Sequence, residues 1–245
     1  MTLLSNIPPG LILILGAIVL LLLPATARKA GAIALAALGF YAIFQLDVDS
    51  RLSPSFLGYD LKLLRVDATS KAFGYIFTLC AVAAFIFSWH EKGRMENTAA
   101  LVYIGSALGV VFAGDMITWY VCWELMAIAS TFLVLARKTE KSLKAAQRYI
   151  LVHLAGGLIL LTGILLTVHN HKIGSIAFNE FPKGEIGSWL ILIGILINAA
   201  AVPFSSWLPD AYPESTVMGG VILSAYTTKT AVYTLIRGFP GWEIL

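Results

Sequence analysis

Four polar side chains stand inside long apolar stretches of this sequence and could move charge through a membrane. Glu124 lies near the middle of the stretch GDMITWYVCWELMAIA, at residues 114–129, and Lys229 lies near the middle of the last apolar stretch. His153 and Asn198 lie in the two stretches between them. A carboxylate, an amine and an imidazole can each take up and release a proton. Ionisable groups at membrane depth normally face a partner, a cavity or an ion path.

Each of these side chains also has a purely structural interpretation. Counted from Asp115, Glu124 lies roughly 13–14 Å along its helix at 1.5 Å per residue, which is near the centre of a hydrocarbon core about 30 Å thick. There it could act as a single hydrogen-bonded lock between two helices. His153 could simply bind a neighbouring carbonyl group, and Asn198 taken alone favours a helix-to-helix hydrogen bond. Lys229 is too deep to reach the membrane surface easily along its own stem.

Taken together, the four residues predict a proton path. A glutamate and a lysine within reach lower each other's cost of burial, and their protonation becomes coupled. An imidazole is suited to relay protons near neutral pH, and the glycine pair at 156–157 leaves room beside His153 for water or a close helix. The sequence therefore predicts transfer through Glu124, Lys229 and His153, linked by water.

The segment around Asn198 predicts an interrupted helix. Pro203 follows Asn198 by five residues and precedes a serine pair. Proline lacks a backbone donor and clashes with the preceding helical turn, so the helix is expected to break near Pro203. Irregular backbone at membrane depth is tolerated where it lines protein or a wet cavity.

The composition places the chain in a membrane. Hydrophobic residues make up 58% of it, charged residues 13%, and the mean hydropathy is +0.83, which is more apolar surface than a soluble domain of this length can bury. The net charge of +3 is confined to loops, which gives no nucleic-acid-binding footprint. Cys80 and Cys122 lack metal-site or disulfide spacing, so we interpret them as small hydrophobic residues. No metal is expected, and no haem, flavin or iron–sulfur ligand set appears, so no cofactor is expected.

The hydropathy pattern predicts an all-α polytopic protein with about eight transmembrane helices. The spans lie at about 9–23, 30–46, 72–89, 99–113, 116–136, 149–168, from 189 through the break, and 217–237. Asp115 is placed to cap the fifth span. The polar loop at 47–67 is expected to form an extended surface hairpin, and 137–148 is interpreted as a basic loop.

The orientation follows from the basic residues. Loops after the odd-numbered spans carry most of them, including Arg28, Lys29 and Lys92, so these loops are expected to be cytoplasmic and the N-terminus outside the cell membrane. The first span has no basic residues before it and no small-residue cleavage site after it, so we interpret it as a retained helix and not as a signal peptide.

Three motifs resemble one known family. TWYVCWELMAIAS, NAAAVPFSSWLPDAYPES and LSAYTTKTAVYTLIRG occur in the order found in antiporter-like membrane subunits of respiratory complex I and in Mrp-type Na⁺/H⁺ antiporters. The strongest likeness is to the D-type member of the Mrp antiporters and to its counterparts in membrane-bound hydrogenases. The WELM and PF-x-x-WLPDA-x-P-E elements are specific when they occur together.

The resemblance implies a fold and a set of functional residues. Family members have about fourteen helices, with two inverted five-helix repeats after a group of three, each repeat with one broken helix. Residues 1–97 would form the three-helix group, and 98–245 the first repeat with its broken seventh helix. Glu124 matches the family's key glutamate and Lys229 the lysine of the eighth helix. Asn198, Pro203 and Asp210 would belong to the ion path at the broken helix.

The chain departs from the family pattern twice. The family usually has a lysine six residues before the phenylalanine of PF, where this chain has Asn198, so Lys229 would have to supply the cation. The second repeat is also absent from the sequence, which indicates a fragment, half of a split subunit or a truncated paralogue.

The expected function is therefore proton translocation, alone or coupled to Na⁺, in a multisubunit membrane complex. The expected partners are the lipid bilayer and other integral membrane subunits, including a chain that supplies the second repeat. Such a chain is a transporter subunit and could belong to an oxidoreductase-linked ion pump. The alternative is a structural module that moves no ions. No HExxH, GxSxG or paired-aspartate motif suggests an intramembrane enzyme.

Overall fold

The computed structural model describes residues 7–56, 59–90, 93–170 and 177–242, which are mostly helical. Within these ranges lie nine α-helices and four two-residue strands. The helices are α1 Pro9–Leu20, α2 Ala25–Gln45, α3 Ala68–Phe87, α4 Arg94–Phe112, α5 Met116–Leu135, α6 Glu140–Asn170, α7 Ile186–Asn198, α8 Trp207–Ala211 and α9 Val217–Gly238. The strands are β1 Arg51–Leu52, β2 Ser55–Phe56, β3 Tyr59–Asp60 and β4 Leu64–Arg65. Lys92 and residues 57–58 of the expected hairpin lie outside the described ranges.

Five of the described helices, α2 to α6, are long and apolar enough to cross a membrane. The apolar helices α1 and α7 are shorter, at 12 and 13 residues. Helix α9 has 22 residues but carries several threonines, a lysine and an arginine along its length. The protein is therefore a helical membrane protein, and the count of eight spans stays a prediction.

Three polar side chains define where α5 and α6 begin. The Asp115 carboxylate accepts a hydrogen bond from the backbone of Thr118 at 2.8 Å, which confirms the predicted cap of α5. Thr139 and Ser142 exchange backbone-to-hydroxyl hydrogen bonds of 3.0 Å before α6. Both arrangements satisfy backbone donors that have no partner in the first helical turn.

The interpretation of residues 137–148 as a loop is wrong over most of its length. Helix α6 begins at Glu140 and continues without interruption to Asn170. The segment contains no glycine or proline, and its lysine, alanine, glutamine and arginine residues favour a helix. The reciprocal pair of Thr139 and Ser142 starts the helix at that point. The basic residues therefore extend α6 beyond its apolar part.

The hairpin predicted at 47–67 is present. Strand β1 pairs antiparallel with β4, and β2 pairs with β3. The hairpin packs on the turn between α4 and α5, because the backbone of Lys62 donates to the Asp115 carboxylate at 2.7 Å and its carbonyl accepts from Gly114 at 2.8 Å. Asp115 thus caps α5 and also binds the hairpin.

Helix α4 lies at the centre of the bundle. Its residues are almost all buried, and it packs against α1, α5 and α9. Helices α1 and α4 cross at Gly10 and Gly105, where a Cβ atom built on Gly10 would lie 2.3 Å from the Gly105 carbonyl oxygen. Only glycine permits backbones to approach this closely. Helices α6 and α7 form a second closely packed pair beside α5.

The expected interruption of the seventh helix is present, but it begins before Pro203. Helix α7 ends at Asn198, and regular helical structure returns at Phe204–Ser206 as a 3-10 turn followed by α8. Ala200 has a left-handed φ of 55°, its backbone donates to Ile197, and Ala201 donates to Leu196 at 3.0 Å. This pattern is a Schellman motif, which ends a helix by satisfying its last carbonyl groups.

Candidate functional site

The Glu124 carboxylate lies directly against the backbone of α6. A Cβ atom built on Gly157 would lie 2.1 Å from Glu124 Oε1 and 3.0 Å from Oε2. Only a glycine at this position leaves room for the carboxylate. Oε1 is buried and accepts no hydrogen bond from any residue that the structure describes. A buried acceptor without a partner is uncommon in native proteins and calls for an explanation.

His153 lies on α6, one helical turn before Gly157, so it occupies the side of α6 that the Glu124 carboxylate contacts. The ring is 2% exposed, and Nδ1 lies 2.9 Å from the Tyr149 carbonyl oxygen. Because a carbonyl oxygen only accepts, Nδ1 carries the proton and Nε2 of the neutral ring is an acceptor. Nε2 is also buried without a partner among the described residues. The neutral imidazole can therefore take up a proton on Nε2.

Two aromatic rings hold the imidazole in place. The Tyr149 ring stacks on His153 with centroids 4.0 Å apart, and Trp207 contacts it edge-on at 4.7 Å. Trp207 Nε1 donates to the Ile197 carbonyl oxygen at 2.8 Å, at the end of α7. The Ile197 carbonyl oxygen, which also accepts from the Ala200 backbone at the end of α7, thus positions Trp207 against His153.

Asn198 is the last residue of α7 and is 2% exposed. Its Oδ1 is a third buried polar atom without a partner in the described chain. The preceding residue, Ile197, contacts the space above Gly156, where an added Cβ would lie 3.1 Å from its side chain. Glu124 of α5 and Ile197 of α7 therefore contact the glycine pair of α6, and Asn198 follows Ile197 at the end of α7. Pro203 itself is exposed.

Lys229 lies on an exposed face of α9. Its Nζ donates to the Ser224 carbonyl oxygen at 2.7 Å, on its own helix. No ion pair joins it to Glu124, although the structure describes both residues. The structure thus places Glu124 and His153 on the same side of α6, while, among the described residues, Lys229 is hydrogen-bonded only within α9. A functional connection between Glu124 and Lys229 stays a prediction.

Asp210 belongs to a surface ion pair in this structure. The Arg148 guanidinium donates two hydrogen bonds of 2.6 Å to its carboxylate, which joins α8 to the polar part of α6. These hydrogen bonds hold the pKa of the Asp210 carboxyl below its usual value. Asp210 therefore anchors the short helix that carries Trp207.

Sequence reasoning did not identify the hydroxyl groups beside the site. Tyr149 donates to Ser130 at 2.9 Å, and Tyr103 is hydrogen-bonded to Thr227. These pairs connect α5 with α6 and α4 with α9. Serine, threonine and tyrosine occur throughout the sequence, so no spacing marked these residues beforehand. The position of Trp207 in the WLPDA motif was the one available signal for the aromatic contact.

The site can therefore bind and release protons, through a carboxylate that contacts Gly157 and an imidazole one helical turn away on α6. Among the described residues, no group of histidine, cysteine and acidic side chains could hold a metal ion.

Residues 113–243 match the family described as "NADH:quinone oxidoreductase/Mrp antiporter, TM". NADH-quinone oxidoreductase subunit M from Buchnera aphidicola is 32% identical over 176 residues, 64% of this chain and 35% of that protein. Na⁺/H⁺ antiporter subunit A1 from Staphylococcus haemolyticus is 30% identical over 202 residues, 77% of this chain and 25% of that protein. This chain thus spans about a third or less of these relatives.

The fold is similar to that of solved membrane complexes. A chain in the structure of the Mrp complex from Dietzia sp. DQ12-45-1b superposes with a TM-score of 0.76 at 20% identity, over 97% of this chain and 48% of that one. The expectation of an antiporter-like fold of this kind is confirmed. The specific likeness to the D-type Mrp protein stays a prediction.

Proposed function

Because the chain belongs to the NADH:quinone oxidoreductase/Mrp antiporter transmembrane family, we propose that it translocates protons, alone or in exchange for Na⁺, as a subunit of a larger membrane complex. Its partners are other integral membrane subunits, including one that supplies a second repeat.

One observation carries this proposal. The Glu124 carboxylate lies against Gly157 with a buried, unpartnered oxygen, and Gly157 lies one helical turn from His153, whose Nε2 is also buried and unpartnered. A carboxylate that served only to lock two helices together would have a hydrogen-bond donor from the neighbouring helix. The described residues supply none. Two buried acceptors on the same side of α6 fit a proton that is exchanged between them through water.

We assign each remaining residue a role in this path. Asn198 contributes a neutral oxygen at the end of α7, and the interruption before Pro203 brings Trp207 back to the Ile197 carbonyl. Asp210 holds α8 in register through Arg148. Lys229, on the exposed face of α9, passes the proton onward to the neighbouring repeat. Water links Lys229 to Glu124 in this proposal, because no direct contact joins the two side chains.

The architecture that follows is an eight-helix membrane segment. Residues 1–97 form a three-helix group, and 98–245 form one five-helix repeat that is inverted relative to a second. The segment lies in the cell membrane with its N-terminus outside and the basic end of α6 in the cytoplasm. The crossing of Gly10 and Gly105 packs α1 of the first group against α4 of the repeat.

The test replaces Glu124 with glutamine in the complete complex. Glutamine keeps the size of the side chain but cannot titrate, so we expect ion-dependent dissipation of a pH gradient in inverted vesicles to fall at least tenfold. The matched control is Glu140→Gln, because Glu140 is a highly exposed carboxylate at the start of α6. The control should transport like wild type. Both variants are quantified for assembly by blue native electrophoresis.

Wild-type transport by the Glu124→Gln variant, at a normal protein level, would refute the proposal. It would favour the alternative function, a structural module that holds the complex together without moving ions.

A further inference from the structure

An apolar groove runs along the outer surface of α4 and α5. Its volume is about 540 Å³. Side chains of Val102, Leu125, Ile128 and Phe132 line its length, and Leu21 closes one side. Ile128 and Phe132 are both exposed, so the groove is open to whatever surrounds the helices.

Two cations stand at one end of the groove, Arg94 and Lys138. Both side chains are exposed, and neither forms an ion pair with a carboxylate in the described residues. The acidic neighbour of Arg94 in sequence, Glu96, is buried and bonded to Thr216 instead. The two positive charges are therefore not neutralised within the described part of the chain.

The positions of these residues put the charged end at one membrane surface. Leu21 follows the end of α1, Arg94 begins α4, and Lys138 follows the end of α5. Because α4 runs antiparallel to α1 and α5, these three points lie at the same end of the bundle. From Arg94 to Val102 the groove extends roughly 12 Å along α4 at 1.5 Å per residue. This approaches the depth of one leaflet of a hydrocarbon core about 30 Å thick.

Lys138 is also held in an unusual conformation. Its φ is 58°, in the left-handed region that favours glycine or asparagine. A glycine would adopt the same backbone with less strain.

We propose that this groove binds one anionic phospholipid, with its phosphate between Arg94 and Lys138 and an acyl chain along α4 and α5. Charge complementarity selects this occupant, because basic pockets between transmembrane helices attract anionic head groups. An apolar helix of a partner subunit would fill the groove but would leave both cations unpaired.

The test compares lipid retention by the complex that contains this chain, purified into nanodiscs of phosphatidylcholine mixed with phosphatidylglycerol of the same acyl chains. Native mass spectrometry measures bound phosphatidylglycerol. We expect Arg94→Gln with Lys138→Gln to weaken its binding about thirtyfold, since each cation near an anionic head group contributes about fivefold. The control, Lys141→Gln with Lys144→Gln, removes the same charge from α6 at the same end of the bundle and should retain wild-type binding.

Two further arms separate the possible ligands. Val102→Phe fills the groove but keeps both cations, and we expect it to reduce phosphatidylglycerol binding at least tenfold. Glycerol phosphate, which lacks acyl chains, should not displace the lipid at millimolar concentration. Displacement by glycerol phosphate would mean a phosphate site and would overturn the proposal. Equal binding by the cation-deleted double variant and its control, or a protein helix found in the groove, would overturn it as well.

Discussion

Gly157→Ala is the sharpest test of the geometry at Glu124. The added methyl group would lie 2.1 Å from Oε1 and 2.8 Å from the carboxyl carbon. Non-bonded heavy atoms in ordinary contact are about 3.5 Å apart, so the carboxylate must move by more than about 1 Å. The clash involves the end of a flexible side chain, which can rotate away without moving α5 or α6.

The substitution should therefore reduce transport and leave the fold intact. Alanine at a helix-interior position is about 1 kcal/mol more favourable than glycine, which offsets part of the clash. A displacement of about 1 Å in a reacting group can cost about 10²-fold in rate. We expect a decrease between about tenfold and about a hundredfold in Na⁺-dependent dissipation of the pH gradient, measured in inverted vesicles with the complete complex.

The neighbouring glycine provides the matched control. A Cβ atom on Gly156 would meet only the Ile197 side chain, at 3.1 Å and beyond, which requires a shift of a few tenths of an ångström. Gly156→Ala has the same chemical change on the same helix and should transport within about twofold of wild type. Equal transport by Gly157→Ala and Gly156→Ala, at equal protein levels, would refute the contact between Glu124 and α6 as a functional feature.

Two other predictions follow from the placement of the remaining charged residues. Lys229→Met keeps the apolar stem and removes the cation, so transport should fall at least tenfold, and adding Asn198→Lys should partly restore it. The control is Lys144→Met, which removes an exposed cation. Normal transport by Lys229→Met at every pH would exclude Lys229 from the path. Asp210→Asn removes the ion pair with Arg148. In the folded protein this ion pair lowers the pKa of the Asp210 carboxyl. The stabilisation is therefore present above the unfolded pKa of about 3.9 and is lost as the pH falls through the lower, folded value. The melting temperature of Asp210→Asn in detergent should be slightly lower than that of wild type at pH 7. This difference in melting temperature should disappear in strong acid. A difference that persists at pH 2 would contradict the reasoning.

The sequence by itself determined the features that depend on near neighbours. The Asp115 cap, the hairpin at 47–67 and an interruption of the seventh helix were all predicted, because turns and caps are set by residues within a few positions. The same local rules, applied to residues 137–148, should have predicted the helix that the structure contains. The basic residues there favour a loop, but the segment has no glycine or proline to interrupt the backbone, and the helix forms.

Only the tertiary structure decided which side chains face one another. Helix α5 is apolar around its whole circumference, so no pattern indicates how it rotates about its axis. Packing decides that rotation, and it places Glu124 against Gly157 while the Ile197 carbonyl holds Trp207 against His153. The same packing leaves Lys229 exposed on α9, bonded to Ser224. Depth along a helix can be counted in the sequence, but direction around it depends on contacts between residues that are far apart in the chain.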